Sequence, residues 1–379
     1  MKLLNKRLIL FFFLIIFVVD PVWLHAEDTK GYLSVTGPCD FEFPEDHASH
    51  PGYRTEWWYY TGNLQSSDGN RYGFQLTFFR RRIIPSEFEK RWPTPASAWR
   101  TGQIYLAHAA ISDLEGQQHV YDQCMGRGVL GIAGEFRNNG VVNIFLKKWS
   151  ARISPKTHTL KVISDRFSFD LKLTPVKPPV FHGDKGYSRK GSTPEKASCY
   201  YSLTRLETQG QMAIAEKTFT VNGLSWMDHE FSTAPLEPGL VGWDWFSLQL
   251  SDSTEIMIYL LRQKNGELNS ASSGTFILLN GKTRHLSKHD FEVTVTDTWN
   301  SPSSNALYPA RWRLKIPLLF LDLDITSNLA DQEMSTHEST GVTYWEGSVS
   351  VQGSKGESRI NGQGYVELTG YAKAFDAPL

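Results

Sequence analysis

The 379-residue sequence has only three cysteines, Cys39, Cys124 and Cys199, widely separated and without a CxxC pair. That spacing excludes a cysteine-built metal cluster. In an oxidising compartment the three could form one disulfide and leave one thiol, with both the pairing and whether any pair forms left open by the sequence. An excess of one charge is also missing. Lys and Arg total 39 and Asp and Glu 40, so the net charge is −1, and neither nucleic acid nor an anionic surface is implied as a partner. There is no HExxH, no P-loop and no G-x-S-x-G, the nearest stretch, GLSWM, lacking the second glycine. No cofactor and no metal is expected. Stretches of helical period are scarce.

The apolar run Leu8–Val19 is too short to cross a bilayer comfortably. It follows Lys2, Lys6 and Arg7 and ends at Asp20-Pro21, with Ala26 at a plausible cleavage point. This pattern predicts a secretory signal peptide over residues 1–26, with an uncleaved anchor as the alternative. No cysteine follows the cleavage point, so a lipoprotein is not expected. The expected location is secreted or periplasmic. Removing the leader leaves roughly 350 residues, more than one core usually holds, so two domains are expected.

Aromatic residues are abundant: 13% of the chain, with 12 Trp, 15 Tyr and 22 Phe. Segments such as QLTFF, IYLAHAAIS, FSFDLKL and FEVTVTD alternate in polarity and are separated by DG, NG or GN. This is the pattern of an all-β protein built from antiparallel hairpins. IIPSEFEKRWPTPASAWR (83–100) breaks it, and reads as a long loop or short helices.

The chain also repeats itself. WWYYTGNLQSSDGNRYGFQLTFFR, from Trp57, matches WDWFSLQLSDSTEIMIYLLR, from Trp243. Trp57 aligns with Trp243, Tyr59 with Trp245 and, after a hairpin deletion, Arg80 with Arg262. VNGLSWMDHEF matches INGQGYVELTG, aligning Trp226 with Tyr365, Asp228 with Glu367 and His229 with Leu368. Tyr200-Tyr201 answers Tyr344-Trp345. Matches that keep their order predict two tandem β units related by duplication, each closed as a barrel to remove its edges. The boundary falls between Phe231 and Val241, giving domains at 34–232 and 240–374.

Alternation along TEWWYY puts Trp57 and Tyr59 on one face and Glu56, Trp58 and Tyr60 on the other. One row would line a barrel wide enough for a small apolar ligand, and the other would pack against the second barrel. Glu56 reads either as an acid raised by burial or as the partner of an arginine such as Arg54 or Arg80. In WMDHEF, Asp228 and Glu230 share a strand face with His229 opposite, unless a turn lets all three converge. Asp228, His229, Glu230 and Glu56 are the candidate acid and base groups. Trp57, Trp58, Tyr59, His108, Trp226, Trp243, Trp245 and Tyr259 are the candidate ligand-binding residues.

With EWWYYTGNL, LAHAAISD, NGLSWMDHEFS and GWDWFSLQL together, the chain resembles the AttH/CrtC-type family of two-domain, lipocalin-like proteins, which includes carotenoid 1,2-hydratase. The resemblance covers roughly residues 40–372 and implies two lipocalin-like barrels. The hydratase branch implies addition of water to an isoprenoid double bond through a tertiary carbocation, with a functional histidine that carries over to His229. Its Tyr-x-Asp falls on Tyr259-Leu260-Leu261, where leucine replaces the aspartate. Three readings follow: a hydratase or hydrolase acting on a small hydrophobic isoprenoid or lipid, a non-catalytic carrier of such a ligand, and an accessory envelope protein. Peripheral association with a membrane is compatible with all three, and oligomeric state is open.

Overall fold

The computed structural model describes residues 29–234 and 236–375. The leader assigned to 1–26 lies outside the described residues. The described chain forms two antiparallel sheets, of 13 and 10 strands. The first is nearly closed and the second is a half-barrel, so the expectation of two tandem barrels holds with the second one open. Segment 83–100 carries one short helix, Ser86–Glu89, in otherwise irregular chain.

Nine strands position the site. In the first sheet they are β1 (Thr55–Ser66), β2 (Arg71–Arg82), β3 (Gln103–Asp113), β4 (Ala197–Ile214) and β5 (Lys217–Ser232). In the second they are β6 (Leu240–Leu250), β7 (Glu255–Gln263), β8 (Val342–Lys355) and β9 (Ser358–Thr369). The central order β2-β1-β5-β4 in one sheet is matched by β7-β6-β9-β8 in the other. The registers match too: Tyr59 lies opposite Asp228 as Trp245 lies opposite Glu367. The residues aligned as repeats thus occupy equivalent places in two equivalent sheets.

β1 explains its four consecutive aromatics. Trp58 and Tyr60 point into the first barrel, fully buried among Phe74, Leu76, Phe78 and Tyr201. Tyr59 points the other way and is buried against Trp226, Trp245 and Tyr259. A strand with one wet face could not use both rows, whereas this one has a core on each side. The interior of the first barrel is packed solid by side chains, and Phe246, Leu248, Trp312 and Trp345 do the same inside the second sheet.

The sheets dock through reciprocal contacts. Asn63 donates Nδ2 to the Gly364 carbonyl at 3.0 Å. Its repeat equivalent, Gln249, donates Nε2 to the carbonyl of Ser225, the equivalent of Gly364, at 2.9 Å. Tyr59 meets its own equivalent, Trp245, edge to face with ring centroids 5.1 Å apart. Contacts in which i meets j and j's counterpart meets i's are those of a twofold interface, here within one chain. Gly73 marks a close approach of the sheets, since a Cβ there would lie 2.9 Å from Cβ of Ser348. The Glu255 carboxylate, buried at the interface, receives Nζ of Lys177 and Nε of Arg205, each at 2.6 Å.

The cysteine pairing left open by sequence is Cys39–Cys199, closing 160 residues and pinning the segment before β1 onto β4; Cys124 is free. Its half-cystines pack with Val35, Ala197 and Phe231. Cys39→Ser is expected to destabilise the protein by about 2–5 kcal/mol, read as a lower urea midpoint. An unchanged midpoint would mean that packing alone holds the segment.

Candidate functional site: an aromatic cavity between the sheets

The outward faces of β1, β5, β6 and β9 enclose a cavity of about 630 Å³. Trp57, Tyr59, Trp243 and Trp245 line it, together with Phe79, Tyr200 and Tyr259. The segment joining the sheets closes one side with Leu236, Pro238 and Gly239. A mostly aromatic wall with a few convergent polar groups is the usual form of a site for an apolar ligand. The pocket therefore lies between the sheets, and not in a barrel lumen.

Asp228 is the central polar group, 3% exposed. Its Oδ2 accepts from the Tyr200 hydroxyl at 2.6 Å, and its Oδ1 from Nε1 of Trp226 at 2.6 Å and from the Ser202 hydroxyl. Behind Ser202 stands His182, with Nε2 2.6 Å from Oγ of Ser202 and Nδ1 2.9 Å from Oγ1 of Thr275. Burial pushes the Asp228 carboxyl up to about 7, with the nearby Glu230 adding to the rise and the three donors opposing it. Tyr200 also receives Nε1 of Trp245 at 3.1 Å, so its own proton is directed at Asp228. Glu230 holds Nζ of Lys190 at 3.2 Å. The same ammonium lies 4.1 Å from the ring centroid of Tyr259 and 5.0 Å from that of Tyr200. The Tyr259 hydroxyl donates to the Arg189 carbonyl at 2.8 Å.

The second sheet supplies Glu367 and Glu346, opposite each other on β9 and β8. Glu367 accepts from Nε1 of Trp243 at 3.1 Å and from the Thr369 hydroxyl at 3.0 Å, and burial raises it to about 7. His108 reaches the cavity from β3. Its Nδ1 lies 2.7 Å from the Tyr344 hydroxyl and its Nε2 2.9 Å from Oγ of Ser339. Ser339 donates to Oε1 of Gln123 at 2.6 Å. His108 therefore carries its proton on Nε2 and accepts from Tyr344. Burial keeps it neutral, with its pKa lowered to about 3.

The four candidate acid and base residues divide between two places. Asp228 and Glu230 face the cavity. Glu56 and His229 point into the first barrel, because neighbours in a strand face opposite sides. There Glu56, fully buried, accepts Nε of Arg80 at 2.7 Å, Nδ1 of His50 at 2.7 Å and Nε2 of His229 at 2.9 Å. His229 Nδ1 lies 3.0 Å from the Tyr201 hydroxyl, which lies 2.7 Å from Nδ1 of His47. Burial works against charge on Glu56, but Arg80, His229 and His50 hold its carboxyl well below the usual range. Burial works against charge on His50 as well, yet Asp46 and Glu56 raise it to about 9. His50, Glu56 and His229 could offer three ligand atoms within 4.8 Å of one another to a metal. The Arg80 guanidinium and the His50 imidazolium already supply the positive charge that a metal would bring.

Among the candidate ligand residues, Trp57, Tyr59, His108, Trp243, Trp245 and Tyr259 line the cavity. Trp58 does not: it stacks on His229 inside the barrel, 4.8 Å between centroids, and donates Nε1 to the His47 carbonyl at 2.9 Å. Trp226 stands behind the wall and orients Asp228. Leu261, in place of the hydratase aspartate, lines the cavity. Sequence reading missed Tyr200, Ser202, His182, Lys190 and Glu346 as site residues. For Tyr200 and Glu367 the internal repeat held a usable signal.

The family model described as AttH-like matches residues 34–371. No curated protein matches the chain. Among solved structures, an AttH candidate from Nitrosomonas europaea superposes with a TM-score of 0.78 at 30% identity, covering 89% of this chain and 99% of its own. Kievitone hydratase from Nectria haematococca superposes with a TM-score of 0.68 at 16% identity, covering 90% and 96%. CghA with Sch210972 superposes with a TM-score of 0.52 at 12% identity, covering 90% and 97%. The latter two are likenesses of fold.

Proposed function

The chain belongs to the AttH-like family, and from that membership and the acid-bearing aromatic cavity we propose that it binds an unsaturated isoprenoid or lipid between its sheets and adds water to it. The observation that carries this reading is the Asp228 carboxyl, raised to about 7 in an aromatic wall and bonded to Tyr200. A protonated carboxyl there can donate to an alkene carbon. The bond that forms is C–H, and the alkene's π pair supplies its electrons. The tertiary carbocation left behind would be stabilised by the faces of Trp57, Tyr59 and Trp245 and by the negative charge now on Asp228. A water oxygen then bonds to the cation, and its surplus proton returns to Asp228, directly or through Glu230. A fold neighbour named a hydratase, and another crystallised with Sch210972, support the reading. The Cys39–Cys199 disulfide supports an oxidising, secreted or periplasmic location.

A carrier without turnover is the second reading, favoured by Leu261 in the cavity wall. The test is native mass spectrometry of protein purified from its own host, followed by incubation of the extracted ligand with protein in heavy-oxygen water. A bound unsaturated ligand that gains heavy oxygen is expected. A bound ligand that never gains oxygen makes the protein a carrier. Empty protein whose tryptophan fluorescence no isoprenoid alkene changes would overturn both readings.

A further inference from the structure

We propose that Glu346 and Tyr59 form a second polar subsite in the wall of the cavity, distinct from the Tyr200–Asp228 pair, which holds a neutral acceptor oxygen of the ligand such as a ketone or phenol. The proposal rests on the cavity reading above and names its substrate class more narrowly. The internal twofold carries it. Around Asp228 the first half assembles Tyr200 and Ser202 from β4 with Trp245 from the other sheet. The equivalent positions around Glu367 are Tyr344 and Glu346 from β8 with Tyr59 from the other sheet. The two poles are therefore the same place in two copies of one unit, and among the positions where they differ, that of Ser202 is a glutamate.

At the first pole every polar atom named above has a protein partner. At the second they do not. Oε1 of Glu346 and the Tyr59 hydroxyl are buried, line the cavity and make no well-formed hydrogen bond within the protein, their nearest polar neighbours being each other and, for Glu346, Tyr344. Buried polar groups are usually satisfied, and an unsatisfied pair in a cavity wall points to a partner that comes with the ligand. The chemistry of that partner follows from the surroundings. Burial, together with Glu367 directly opposite, holds Glu346 well above the usual carboxylate range, so it carries a proton to donate. Tyr59 is likewise a donor. The Tyr344 proton is committed to His108. Two donors with no cation among the groups named at this pole suit a neutral oxygen. An anionic head group would be desolvated beside two carboxyls, which disfavours it.

The experiment uses the intact protein and three probes of matched length: geranylacetone, the hydrocarbon of the same skeleton, and the corresponding primary amine. Binding is read by tryptophan fluorescence. The wild type is expected to bind the ketone about 10-fold more tightly than the hydrocarbon, the worth of one satisfied buried hydrogen bond. Glu346→Leu is expected to bring that ratio close to one, while Glu346→Gln, whose amide still donates, retains it. Circular dichroism checks that both variants fold. If Glu346→Leu does not fold, loss of most of the preference in Tyr59→Phe carries the same decision. Equal affinities for ketone and hydrocarbon in the wild type, or a preference that survives loss of Glu346, would overturn the subsite alone. Preference for the amine would overturn it in favour of a cation site. Failure of all three probes to bind would overturn the cavity reading itself.

Discussion

Asp228→Asn is expected to lower turnover by roughly 100- to 10,000-fold, the usual share of a positioned acid, while leaving affinity for the unreacted ligand within about threefold. The asparagine keeps the shape of the side chain and can still accept from Trp226 and Ser202 through Oδ1, while its Nδ2 turns to the Tyr200 oxygen as a donor; it has no acidic proton to give. The raised Asp228 also sets the pH response. Its folded pKa is about 7 against an ordinary 3.8, so the protonated form prevails below about 7 and disappears above it. Turnover in the wild type should therefore fall as pH rises through about 7, whereas binding should not. Single-turnover rates and fluorescence affinities measured across pH separate the two. Full activity in Asp228→Asn would remove Asp228 as the acid of the mechanism, whereas absence of turnover in the wild type itself would leave the carrier reading.

The second large effect concerns stability. Glu56→Gln is expected to destabilise the fold by about 3–5 kcal/mol, because it leaves the Arg80 guanidinium buried without its counter-charge. Replacing both partners, as in Glu56→Gln with Arg80→Met, should be milder than adding the two single effects. The pH dependence has two limbs. Glu56 is held well below 4.5 in the fold, so its contribution is complete above that value and is lost as pH falls. His50 is raised from 6.5 to about 9, so its contribution is complete below 6.5 and is lost as pH rises through about 9. Without the Glu56 carboxylate, His50 should titrate lower and the alkaline limb should shrink. Urea denaturation of wild type and variant from about pH 3 to about pH 10, a range that brackets both limbs, reads all of this. An unchanged alkaline limb would mean that Asp46 alone holds the His50 proton.

Much of this arrangement was legible in the chain. The alternation of TEWWYY divides Trp57 and Tyr59 from Trp58 and Tyr60, and the internal repeat pairs Asp228 with Glu367. Which row lined the cavity was not legible, because both faces of β1 are apolar and buried. The block DHEF reads in one dimension as one acid–base cluster, and only the pleat separates His229 from its neighbours. Glu56 carried two readings, and the Arg80 contact matches the pairing one. Tyr200, Ser202 and His182 join Asp228 through strand pairing and a contact 20 residues apart. Glu346 enters the site only because β8 pairs with β9. Nothing local marks such residues, since an isolated polar residue in a strand reads the same whether it faces solvent or a cavity.

The reciprocal Asn63 and Gln249 contacts carry a consequence for how such a site can diverge. Two separate copies of one unit, docked in the same way, would place every substitution at both ends of the cavity at once. A serine beside one acid would mean a serine beside the other, and the two ends would stay identical. Joining the copies in one chain, through the residues after Ser232, frees each end to change alone and keeps the partner permanently at high effective concentration. Ser202 and Glu346 are that freedom realised at one pair of equivalent positions: a symmetric frame whose two halves have become chemically distinct.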